Sequence, residues 1–359
     1  MKPLNFLKKY GRLFISFCLL LLSCVLLENT KQLSDKDYRH VMFDASERTQ
    51  RAFEAIKAEK LYRGLSISPL DDPNMTGMIG APYTDTTTTL GDLEAKRSTT
   101  NPNISAMIVD MLEQCHIKSG DTVAVNFSGS FPCANIAALC AMDAMGVNGI
   151  VISSVGASTY GANLSEFTYQ DMEHFLYKNS YITNHSSYFS MGGVNDQGKE
   201  FPTDLKETIR LRLQSYGLAY LNYDDLEENI AARIGIYQSL GEVSCFINAG
   251  GNLLSFGGGS EMTSVKNGLI MPGSSSKSGT GLIPEFIKEN VPVIHLLNMK
   301  SLLPSYGLPI DPIPLPPVGS GDVYRHFSYN IPLAIVLLLL NAGWLLWSSG
   351  KFPHRKYPL

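Results

Sequence analysis

The chain has 359 residues, 44% of them apolar, with 29 Lys and Arg against 33 Asp and Glu. That length holds one large core or two average ones, and the net charge of −4 excludes the broadly basic surface of a nucleic-acid binder. Cys115, Cys133, Cys140 and Cys245 fall at no zinc spacing. In a domain this large they read as small buried residues rather than a disulfide framework.

Residues 1–30 carry Lys2, Lys8, Lys9 and Arg12, then the apolar block LFISFCLLLLSCVLL (13–27). Its length suits a signal-peptide core, and Leu21-Leu22-Ser23-Cys24 resembles a lipoprotein cleavage box that would place a lipid on Cys24. The apolar run continues through Leu27, and Arg12 can extend its head to the interface. An uncleaved transmembrane anchor is therefore the preferred reading. From Ser34 the chain reads as a helix: Ser34 caps it, Tyr38, Val41, Ala45, Ala52 and Ile56 recur at spacings of three and four, and Gly64 ends it. Residues 31–64 are expected as a stalk helix joining the membrane to the body.

The body spans residues 65–305. Residues 65–103 show no regular pattern, as in a functional or mobile connection, and a helix follows from Ile104 to about Cys115. Short β-runs then alternate with helical stretches. The runs are 122–127, 149–155, one near Tyr188, 218–222, 243–248 and 291–297, and the helices are 133–145, 169–178, 203–215, 225–239 and 282–289. Alternation of this kind predicts an α/β fold, a parallel or mostly parallel sheet flanked by helices, Rossmann-like. The run TVAVNF is apolar on both faces, as burial on two sides requires.

Residues 306–328 contain PSYGLPIDPIPLPPVGSG, which reads as a Pro/Gly-rich spacer. Residues 329–348 hold YNIPLAIVLLLLNAGWLLW, long enough to cross about 30 Å of hydrocarbon. Pro332 sits in its first turn, and Trp344 and Trp347 lie near its end, where interfacial rings gather. The tail 349–359 carries Lys351, Arg355 and Lys356. Basic flanks at both ends place both tails in the cytoplasm, giving a two-pass protein of the cell membrane with its main domain extracytoplasmic. Setting aside those seven basic residues and Glu28 leaves 22 basic and 32 acidic side chains, a balance of −10.

In a parallel sheet the ligand crevice lies beyond the carboxyl ends of the strands. There the chain places Asn126, Ser128, Gly129 and Ser130; GASTYGAN with Ser158; SMGGVNDQG with Asp196; and FINAGGN with Asn248, Gly250 and Gly251. Ser130 can cap the following helix, with Pro132 in its first turn. Such Gly/Ser/Asn loops expose N–H donors suited to a carboxylate or phosphate. Lys96 and Arg97, folded over this edge, would add the positive charge. Ser130 is also the candidate nucleophile, with His295, His174 or His116 as base, although G-x-S-x-G is absent. GSSSKSGTG (273–281) fails the P-loop pattern and GGGSEM (257–262) fails G-x-G-x-x-G. Neither a cofactor nor a metal is indicated.

Taken in order between two apolar ends, LEAKRSTTNPN, VNFSGSFPCANIA, ISSVGASTYGAN, SMGGVNDQG and FINAGGN resemble the bacterial poly-γ-glutamate system protein family over about residues 60–305. The resemblance implies a membrane-anchored accessory of capsule polymer synthesis or export. Its partners would be the poly-γ-glutamate chain and the membrane complex of its synthase. The family brings no catalytic residue or cofactor, so Lys96, Arg97, Ser128, Ser130, Asp196, Gly250 and Gly251 stand as ligand-binding candidates. Two other classes stay open: an extracytoplasmic hydrolase or transpeptidase acting on the polymer, and a scaffold or sensor of another cell-envelope complex.

Overall fold

Helical and strand periodicities divide the chain close to where the sequence places them. The structure, a computed structural model, describes residues 3–257, 265–273 and 279–348, with backbone alone for 3–10. Lys2, the basic tail 349–359 and most of GGGSEM and GSSSKSGTG lie outside the described residues.

The chain opens with α1 (Pro3–Asn29), β1 (Gln32–Asp35), α2 (Arg39–Tyr62), β2 (Thr87–Thr89), α3 (Leu93–Ser98) and α4 (Ile104–Gln114). There follow β3 (Thr122–Ser128), α5 (Pro132–Met145), β4 (Asn148–Ser154), β5 (Ala157–Ser158), β6 (Asn163–Leu164), β7 (Phe167–Thr168), α6 (Tyr169–Lys178) and β8 (Ser186–Ser190). Next come α7 (Thr203–Ser215), β9 (Ala219–Tyr220), α8 (Leu226–Ser239), β10 (Val243–Ala249), α9 (Leu253–Phe256) and β11 (Gly268–Ile270). The last elements are α10 (Leu282–Lys288), β12 (Val293–Leu296), α11 (Met299–Ser305), β13 (Arg325–Ser328) and α12 (Ile331–Ser348). They form two units: a body, Asp37–Tyr324, and a terminal unit of the two chain ends.

In the terminal unit, Gly11–Asn29 of α1 and all of α12 are long and apolar enough to cross a membrane. Polar groups join the two helices: Trp344 Nε1 donates to Ser16 Oγ at 3.1 Å and Asn341 Nδ2 to Ser23 Oγ at 2.9 Å. In hydrocarbon such bonds hold helices together where the hydrophobic effect cannot. β1 pairs antiparallel with β13, Gln32 opposite Ser328, which fixes the end of α1 beside the start of α12.

The body is a mixed α/β fold built on a seven-stranded sheet of order β11-β12-β10-β3-β4-β8-β9. All neighbours are parallel except β11, which runs antiparallel to β12. From β3 the chain moves outward through β4, β8 and β9, then returns to place β10 on the other side of β3. Strand order thus reverses between β3 and β10. The sheet is buried on both faces. Val123, Val125 and Val151 pack with α2, α4 and α5, while Ala124, Ile150, Ile152 and Phe246 pack with Ile230 and Tyr237 of α8 and Phe286 of α10.

Two expectations need correction. Ser34 caps no helix; it lies in β1, opposite His326. The helix starts at Arg39 and forms a layer of the body rather than a stalk, with Met42, Ala45, Ala52 and Ile56 fully buried. Nor is the Pro/Gly-rich segment a free spacer up to residue 328. Leu308, Val323 and Tyr324 are buried, the Tyr324 hydroxyl bonds Ser46 at 2.8 Å and Asn103 at 2.6 Å, and Arg97 Nε donates to Asp311 at 2.9 Å. The segment is a strap fastened to α2 and to the start of α4. The four body cysteines are free thiols, three of them buried.

The packing of α2 predicts that Ile56→Ala, at a site with no exposure, lowers the unfolding free energy by about 2–5 kcal/mol. Tyr62→Ala, at a site 88% exposed, should change it by about 0.5 kcal/mol or less. Urea titration of the detergent-solubilised protein measures both, and equal small effects would mean that the helix stands free.

Candidate functional site

Helices following β3 and β10 leave toward opposite faces of the sheet, so a crevice opens where the strand order reverses. A cavity of about 510 Å³ lies at that edge. Its walls come from seven places: Thr88–Lys96, Ser128–Phe131 after β3, Ser154–Ser158 after β4, Gly193–Val194, Glu200, whose carboxylate accepts from the Val194 N–H at 2.8 Å, Gly251–Leu253 after β10, and Leu297–Lys300 after β12. Loops distant in sequence do converge, and Lys96, Ser128, Ser130, Ser158 and Gly251 line one cavity.

Lys96 is the only basic side chain buried in that wall among the described residues, at 3% exposure. It projects from α3, which Asp92 caps by accepting from the Ala95 N–H at 3.0 Å. Its ammonium group contacts the Ser130 carbonyl, reaches Ser158 Oγ at 2.7 Å and sits 3.9 Å from the centre of the Phe131 ring. Among the described residues no carboxylate stands within ion-pair distance of it. Burial without such a partner pulls its pKa down to about 7, against the weaker upward pull of Cys133 and Asp92. The serines form a chain beside it. Ser128 Oγ donates to Ser130 Oγ at 3.0 Å, and the Ser158 N–H donates to Ser130 Oγ at 3.0 Å.

Two glycines permit this closeness. A Cβ on Gly91 would stand 2.9 Å from Ser158 Oγ and 2.6 Å from the Thr159 carbonyl. Gly250, at φ +108°, would place one 2.6 Å from Ser128 Cβ. The small loops thus serve the approach of backbone to backbone as well as the exposure of donors. Gly129 belongs to the same junction, its N–H bonded to the Ser154 carbonyl at 2.9 Å.

Beneath the cavity a polar layer crosses the sheet. Asn126, Asn248 and His295 stand side by side on β3, β10 and β12. Asn126 Nδ2 donates to Asn248 Oδ1 at 2.8 Å, and Asn248 Nδ2 donates to His295 Nδ1 at 3.1 Å. Burial lowers the His295 pKa to about 4, so its ring is neutral at pH 7. Arg233 of α8, with no exposure, closes the layer. It donates to Asn126 Oδ1 at 2.7 Å, Ser190 Oγ at 2.8 Å, Asn229 Oδ1 at 3.2 Å and Asp196 Oδ2 at 2.7 Å. Every polar atom of that guanidinium has a partner, as its burial demands.

The remaining sequence candidates therefore fall elsewhere. Arg97 turns to Asp311, Asp196 belongs to the Arg233 pair, and Asn248 is a member of the polar layer; none of the three lines the cavity. Gly250 lies at the junction beneath Ser128. His295 is sealed in the layer, His174 stacks on Tyr216 at 3.9 Å, and His116 lies in the turn after α4, so none of these three histidines accompanies Ser130. The sequence reading missed Thr88–Gly91, which runs beside β5 and walls the cavity, and Arg233. A signal for Arg233 existed: it stands three residues after Ile230 and four before Tyr237, a charge on a buried stripe. Comparisons with family models, with curated proteins and with solved structures return no match to this chain.

Asp196→Asn leaves the Arg233 charge buried with a neutral partner, and should lower stability by about 3–5 kcal/mol in urea unfolding. Lys96→Met should change the pH dependence. Between pH 7 and the ordinary lysine value of 10.5 the unfolded chain holds a proton that folded Lys96 does not. Stability then rises with pH across that window. The wild type should gain about 3 kcal/mol relative to Lys96→Met between pH 7 and pH 9.5, at roughly 1.4 kcal/mol per pH unit. Parallel curves for the two proteins would refute it.

Proposed function

We propose that this protein is a membrane-anchored accessory of poly-γ-glutamate synthesis or export, with its body outside the membrane and its cavity holding a glutamyl carboxylate of the polymer. The observation that carries this reading is the buried amine of Lys96, set among serine hydroxyls with no carboxylate of its own. An anionic ligand would supply the missing partner and return the proton that burial removes. The positive end of α5, which starts directly after the lining residues Ser130 and Phe131, favours the same charge. Two apolar helices whose inner ends are tied by the β1–β13 ribbon support a two-pass anchor with both tails on one side, and the basic flanks make that side the cytoplasm.

Full-length protein in detergent, titrated calorimetrically with a γ-glutamyl oligomer at pH 8 in buffers of different ionisation enthalpy, should take up close to one proton per site. Lys96→Met should weaken binding about tenfold or more and abolish the uptake. In cells, loss of the gene should reduce surface polymer while the ligation activity of the isolated synthase persists. No binding together with unchanged polymer would reject the proposal.

A further inference from the structure

The geometry points to an acyl-transfer centre in the same cavity, with Ser158 as nucleophile and Lys96 as its general base, acting on an amide carbonyl. Only the identity of the acyl chain, a γ-glutamyl amide, rests on the function proposed above; a chain whose carboxylate pairs with the protonated amine is held without reacting, and the reaction runs from the pose that sets the amide at Ser158 with the amine neutral. The nucleophile and its base need direct contact, and Lys96 Nζ and Ser158 Oγ are 2.7 Å apart. A neutral amine has two N–H bonds and one lone pair. The Ser130 carbonyl takes one N–H; toward Ser158 Oγ the charged amine is the donor, and on losing its proton it can turn its lone pair to the same oxygen and accept the Ser158 hydroxyl. The depressed pKa of the amine keeps that base form populated at neutral pH.

Ser130, the serine singled out by sequence, is differently placed. Its Oγ accepts from the Ser158 N–H and from Ser128 Oγ, each at 3.0 Å. The amine meets its carbonyl rather than its hydroxyl. Ser130 is therefore a positioning residue that holds the backbone of Ser158 and orients Lys96. Gly91 leaves the Ser158 hydroxyl unobstructed on one side, since a methyl there would stand 2.9 Å from Oγ.

The steps balance without a metal or redox partner. Ser158 Oγ attacks the amide carbonyl carbon as its proton passes to Lys96 Nζ. The tetrahedral oxyanion collapses, the C–N bond breaks, and Nζ returns the proton to the leaving amine. Water, losing a proton to Nζ, then attacks the Ser158 ester; Oγ leaves and recovers that proton, and a free carboxylic acid departs. An amine in place of water gives transfer instead of hydrolysis. A cavity of about 510 Å³ takes a short segment of an extended chain rather than a folded domain.

The test uses full-length protein in detergent, a fluorophosphonate probe and peptide mass spectrometry. Wild type should carry one adduct, on Ser158. The labelling rate should rise with pH through a single deprotonation near 7 and fall about 100-fold or more in Lys96→Met. Ser130→Ala should keep labelling on Ser158. Ser158→Cys, which retains a nucleophile, should be alkylated by iodoacetamide faster than Ser158→Cys/Lys96→Met, and circular dichroism checks that each variant is folded. No adduct on wild type, an adduct on Ser130 or Ser128, or labelling indifferent to Lys96 would overturn the dyad. Incubation with γ-glutamyl oligomers separates the two proposals. Binding by a protein inert to the probe removes the dyad and keeps the polymer, whereas a labelled Ser158 with oligomers neither bound nor cleaved does the reverse.

Discussion

The body depends on one buried guanidinium. A sheet whose order reverses at β3 and β10 must expose, at that reversal, the ends of strands that are otherwise buried on both faces. Arg233 joins them: from α8 it reaches Asn126 on β3, Ser190 on β8 and Asp196 beyond β8, and through Asn126 it connects to Asn248 and His295. Each link removes a buried polar group from the unsatisfied state, where it would cost about 1–3 kcal/mol. Apolar packing could fill the same volume at similar stability. It would not fix the mutual positions of four strand ends, which the loops above them inherit.

Those inherited positions explain why small residues crowd the edge. The serines sit within 3.0–3.2 Å of one another because the glycines beside them lack side chains. Lys96 then enters from a short helix on a segment that crosses the edge next to β5. Its aliphatic stem is covered and its amine meets only hydroxyl, carbonyl and ring. A rigid polar layer below and a packed loop junction above hold a titratable group away from water without neutralising it. That is the arrangement from which perturbed pKa values arise at functional sites.

Much of this was legible in the sequence, for physical reasons that also mark the limits. The 169–178 and 203–215 helices and the β3 run were readable because their signals are local, a period of 3.6 or two-sided burial. Ser34 is misread because its β-partner, His326, lies near the other end of the chain, and no local pattern announces such a pairing. The prolines of the strap 306–324 predict an extended segment. Composition does not reveal that Tyr324 anchors it to Ser46 and Asn103. Lys96 and Arg97 read in sequence as one cationic pair, yet neighbours on a helix diverge by about 100°. One enters the cavity, and the other meets Asp311.

Charge on the body and charge in the cavity work on different length scales. Over the surface the balance is acidic, and its field fades beyond about 8 Å at physiological salt. Repulsion of a polyanion is therefore felt mainly on close approach, and salt weakens it. The Lys96 amine is shielded by protein rather than by ions, so its attraction for a carboxylate persists where the surface term has been screened. On the proposed function, affinity would then rest on the one chain segment inside the cavity, with every segment outside it weakly repelled. A chain held at a single point and repelled elsewhere can be gripped, acted on and released, whereas a basic groove would hold it along its length.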